Sequence, residues 1–123
     1  MIAHTGNFDA ALQAIMVVDE ELGKILKICL EKNVVLVITS DHGNIEKMID
    51  PLTGRAETKH DPNLVPFYLI GAGFKRAKRD DEAEWIEQEA IGILSDVAPT
   101  ILELLDIPKP KEMTGQSLLK SLR

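Results

Sequence analysis

The chain has 123 residues, 45% of them hydrophobic, which is the length and apolar content of one domain or part of one. Its 14 basic and 20 acidic side chains leave a net charge of -6, so there is no electrostatic footprint for nucleic acid or for an anionic membrane. The single cysteine, Cys29, rules out an intramolecular disulfide and favours a reducing compartment; no apolar run approaches the ~20 residues of a membrane span, and Met1-Ile2-Ala3-His4 lacks the build of a signal peptide. A soluble, cytoplasmic protein is expected.

From Phe8 to about Lys32, the residues Ala11, Ile15, Val18, Leu22, Ile25 and Cys29 recur at spacings of four and three, with Phe8, Leu12 and Leu26 widening the stripe. This predicts a long amphipathic helix, with Asn7 as its cap, Asp9 in its first turn and Lys27 and Lys32 toward its negative end. Asn33 permits the turn out, and Cys29 falls on the apolar stripe as packing. The run Val34-Val35-Leu36-Val37-Ile38 is continuously apolar and β-branched, which predicts a strand covered on both faces, as in a parallel sheet.

Residues 43–63 carry Pro51, Gly54, Pro62 and many charges, and read as an extended loop with a possible short helix at 45–49. A second strand is expected at 66–70, stopped by Gly71-Ala72-Gly73. The charged run 75–84 reads as solvated loop. Val97, Ile101, Leu104 and Leu105 fit a helix with Ser95 or Asp96 near its cap, Pro99 in its first turn, and Pro108 and Pro110 ending it. The tail, 113–122, is expected to form a short closing helix after a turn at Gly115.

Asp41 and His42 stand together where the first strand ends. A carboxylate and an imidazole delivered at a strand mouth can be a metal pair, a general base with its orienting carboxylate, or a polar strand end without chemistry. Adjacent strand residues point to opposite faces and need not converge; Gly43, directly after them, allows a sharp turn that swings His42 toward the side of Asp41. His4, beside a helix start, and His60, in a charged loop, are individually more often satisfied or solvated polar groups than ligands. The four together offer imidazole and carboxylate donors suited to Mn²⁺, Zn²⁺ or Mg²⁺, with no soft thiolate among them.

The stretches His4-Thr5-Gly6-Asn7-Phe8, Thr39-Ser40-Asp41-His42-Gly43-Asn44, Asp50-Pro51-Leu52-Thr53-Gly54, His60 followed by Val65-Pro66-Phe67, and Asp96-Val97-Ala98-Pro99-Thr100-Ile101-Leu102-Glu103-Leu104-Leu105 through Met113-Thr114-Gly115-Gln116-Ser117-Leu118 resemble, in order and spacing from about residue 1 to 122, the C-terminal part of cofactor-independent phosphoglycerate mutases of the alkaline phosphatase superfamily. That resemblance implies an α/β fold, part of an alkaline-phosphatase-like sandwich whose mostly parallel sheet is flanked by helices. It also implies interconversion of 3-phosphoglycerate and 2-phosphoglycerate through a phosphoserine intermediate with two divalent metals, usually Mn²⁺. His4 and His60 match ligands of one metal, Asp41 and His42 ligands of the other, and Ser40 a structural position. Ser95, Ser117 and Ser121 fall in capping or helical contexts.

In the resembled enzymes the nucleophilic serine, an early aspartate ligand, an aspartate just before the position of His4 and the substrate-gripping second domain all precede the region of this chain. Residues 1–123 therefore read as a C-terminal fragment of the metal-binding phosphatase domain, with no catalytic nucleophile of its own. Four side chains cannot fully hold two such ions, so the expectation is an isolated chain without mutase activity. With strand edges and helix faces left open, it should bind the missing N-terminal portion or itself. The alternatives are another metalloenzyme of the superfamily, a phosphatase or a phosphopentomutase-like enzyme, and a small zinc-binding α/β module.

Overall fold

The computed structural model describes residues 6–43, 52–53, 63–74 and 90–122. The chain divides into two compact units, Met1–Lys75 and Arg76–Arg123.

In the first unit the helix α1 (Phe8–Glu31) begins as its sequence dictates. Asn7 holds an extended backbone, and its Oδ1 accepts the Ala10 N–H at 3.0 Å, satisfying one of the donors orphaned at a helix start. The other end is equally local. Asn33 takes a left-handed φ of 53°, its N–H bonds the Leu30 carbonyl at 3.2 Å and the Val34 N–H bonds the Cys29 carbonyl at 2.8 Å. This is the paired bonding of a Schellman stop, with asparagine where glycine is commonest.

One stripe of α1 faces inward: Ala11 is buried, and Leu22, Leu26 and Cys29 are half-buried. Phe8, Leu12, Met16, Val17, Val18 and Ile28 are exposed. At 3.6 residues per turn the apolar positions occupy roughly two thirds of the helix circumference, well beyond the stripe of an ordinary surface helix. The sequence of α1 is written for cover on two sides.

Strands β1 (Leu36–Thr39) and β2 (Phe67–Ile70) pair antiparallel, with Leu36 opposite Ile70, Val37 opposite Leu69, Ile38 opposite Tyr68 and Thr39 opposite Phe67. Both strands lie where the sequence put them, but the parallel relation expected between them is corrected by this register. A continuous apolar run reports how many faces of a strand are covered; direction is set by the connection, and here the chain after Thr39 returns at the same end of the sheet. Antiparallel strands are common at the edges of otherwise parallel sheets. Beyond β2, the Gly71 carbonyl accepts the Phe74 N–H at 3.0 Å in a 3-10 turn. A Cβ on Gly71 would stand 3.3 Å from the Phe74 ring and 3.4 Å from Val35 Cγ2, so the strand exit is held close to both.

The second unit is built on a 3-10 turn (Leu94–Asp96) that runs into α2 (Val97–Leu104). Pro99, buried in the first turn of α2, lacks an N–H where none is needed. The helix stops ahead of Pro108: Asp106 is left-handed at φ 57°, and the bonds Asp106 N–H to Glu103 carbonyl, 3.2 Å, and Ile107 N–H to Leu102 carbonyl, 2.9 Å, repeat the Schellman pattern. The stop expected from the prolines is thus made earlier, by the backbone of Asp106.

The expected closing helix over 113–122 is absent. Residues 113–118 form no regular element, and a single turn follows, with the Ser121 and Leu122 N–H groups on the Leu118 carbonyl. The backbone is engaged elsewhere. Asp96 accepts the Gln116 N–H at 2.8 Å through Oδ1 and the Ile93 N–H at 2.9 Å through Oδ2. Thr100, fully buried, donates its hydroxyl to the Asp96 carbonyl at 2.6 Å and accepts the Leu118 N–H at 2.9 Å. Lys109 Nζ donates to the carbonyls of Met113, 2.6 Å, and Gly115, 2.9 Å. Leu118 and Leu119 are buried beside these tethers.

Candidate metal centre

β1 ends at Thr39, and the chain bends through Asp41 and His42 before the buried bridge residue Gly43. Because Asp41 and His42 lie past the last residue of β1, in the bend that follows it, strand alternation no longer separates them. Asp41 Oδ2 stands 3.7 Å from His42 Nε2, with the carboxylate side chain 86% exposed and the imidazole 37%.

The His42 Nδ1 lies 3.0 Å from the Gly43 carbonyl oxygen. A carbonyl only accepts, so this contact is a hydrogen bond when Nδ1 carries a proton, and in the neutral tautomer that has it there the lone pair falls on Nε2, the nitrogen facing Asp41. Two donors each about 2.0–2.2 Å from one cation stand at most about 4.4 Å apart. The 3.7 Å between Oδ2 and Nε2 is therefore within what a single ion can bridge, and the donor set, one carboxylate and one neutral imidazole, suits a divalent cation. Two donors do not complete a coordination sphere: among the described residues no group of three or more His, Cys, Asp or Glu side chains comes together. His4 and His60 lie outside the described residues, as do the loop helix expected at 45–49 and the charged run 75–84.

Two contributors to this site were not read as such in the sequence. Ser40, taken only as a structural position, donates its hydroxyl to the His42 carbonyl at 2.9 Å. The Gly43 carbonyl, which no side-chain pattern reports, orients the imidazole. The Ser-x-His spacing was visible, but a hydroxyl two residues before a ligand carries no signal without the backbone turn.

The chain belongs to the Metalloenzyme superfamily, whose family model matches residues 1–109. Membership implies divalent metals. More particularly, the chain is 47% identical over 120 residues to the 2,3-bisphosphoglycerate-independent phosphoglycerate mutase of Clostridium kluyveri, and 48% identical over 120 residues to that of Clostridium novyi, in each case over 98% of its own length. It spans only 21% and 22% of the lengths of those two relatives. Among solved structures it is similar to a phosphoglycerate mutase of Leishmania mexicana studied at low cobalt concentration, with a TM-score of 0.68 and 28% identity over 93% of this chain and 22% of that one.

Proposed function

We propose that this chain is the C-terminal part of the metal-binding phosphatase domain of a cofactor-independent phosphoglycerate mutase. The complete enzyme interconverts 3-phosphoglycerate and 2-phosphoglycerate through a phosphoserine intermediate. The observation that carries the reading is the run of near-half identity across almost the whole chain to mutases about five times its length, joined to an Asp41–His42 pair spaced to share one ion.

In this reading Asp41 and His42 hold one of two divalent metals, Mn²⁺ in the resembled family, and His4 and His60 hold the other. Metal bound at such a centre lowers the pKa of a hydroxyl nucleophile and neutralises phosphoryl oxygens. The work of this chain's own residues is positional. Asp41 supplies carboxylate oxygens from an exposed bend, and His42 supplies Nε2 in the tautomer whose Nδ1–H meets the Gly43 carbonyl. The nucleophilic serine and the remaining carboxylates belong to the part of the enzyme that this chain does not match, so the chain alone is inactive. Its partner is that missing N-terminal portion, or in its absence a second copy of itself; the two-sided apolar circumference of α1 supports this. A mostly parallel sheet flanked by helices, with the β1–β2 pair as one margin, is the architecture the reading assigns to the complete domain. A cytoplasmic location goes with it, in keeping with the lone free Cys29.

The test is reconstitution. Co-expression with the portion that the Clostridium novyi relative carries beyond the matched region is expected to give phosphoglycerate turnover in the presence of Mn²⁺, and Asp41→Ala with His42→Ala to remove it. Full turnover by the doubly substituted assembly overturns the reading.

A further inference from the structure

We draw no further inference here: the strongest candidate, the open cleft of about 390 Å³ at the C-terminal end of α2, where Pro99, Ile107 and Pro108 form an apolar wall beside Glu103 and Asp106, rests on two exposed carboxylates with no second observation that points to a ligand.

Discussion

The Asp96 carboxylate accepts the Gln116 backbone N–H at 2.8 Å across twenty positions of sequence, and its second oxygen accepts the Ile93 N–H three residues before it. One side chain thus fastens the 3-10 turn and the strap that follows α2. The Gln116 bond, then the Ile93 bond, hold the Asp96 pKa below its ordinary value by favouring the charged form.

The sign of the pH dependence follows. A carboxylate whose folded pKa is depressed contributes stability that is present above the unfolded value, about 3.9, and lost as pH falls through the folded value. Chemical denaturation between pH 7 and pH 2 is expected to show this acid loss in the parent chain and a flatter acid limb in Asp96→Asn, which also starts less stable. Equal acid limbs in the two proteins would show that Asp96 does not fasten the strap.

Thr100→Val keeps the shape and removes the hydroxyl that bonds the Leu118 N–H and the Asp96 carbonyl. Both partners are part of a fully buried contact around Thr100, and leaving the amide unpaired costs about 1–3 kcal/mol. Urea denaturation should show a loss of that order, whereas a change below about 0.5 kcal/mol, as at ordinary surface sites, would mean the hydroxyl is dispensable.

At Gly115 a Cβ would fall inside van der Waals contact with the Ser95 carbonyl, a backbone group that cannot step aside cheaply. Gly115→Ala is therefore expected to destabilise by about 1–3 kcal/mol or more and to expose the Gln116 and Leu118 amides to hydrogen exchange. Unchanged protection at those two amides would contradict the close approach.

The apolar circumference of α1 should show itself in solution. Met16 is 64% exposed and Val17 60%, and an exposed apolar surface of this extent favours association. The chain alone is expected to sediment as a concentration-dependent oligomer or to melt with weak cooperativity, and Met16→Lys with Val17→Glu to lower the association. A sharp unfolding transition of a monomer would contradict it.

Much of this was legible before any coordinates. The cap at Asn7, the turn at Asn33, both strands and the start of α2 are written in local chemistry, where each residue type decides its own backbone. The direction of β2 was not, because an apolar run encodes cover and says nothing of which way the chain returns. The tail was misread as a helix because Gln116 and Leu118 give their amides to Asp96 and Thr100, partners far away in sequence that no window of periodicity contains. At the site, Asp41 and His42 were visible as residue types, and their closeness depends on the bend beyond β1, which the glycine after them only permits. Ser40 was set aside because a bond to a main-chain carbonyl leaves no trace in side-chain pattern.

Among the described residues, both α-helices end on a left-handed residue that is not glycine, Asn33 in one unit and Asp106 in the other. Their lengths are therefore punctuated from within, whatever surrounds them. Where each of these two helices stops is thus written into a few adjacent residues, a punctuation that asks nothing of distant parts of the sequence.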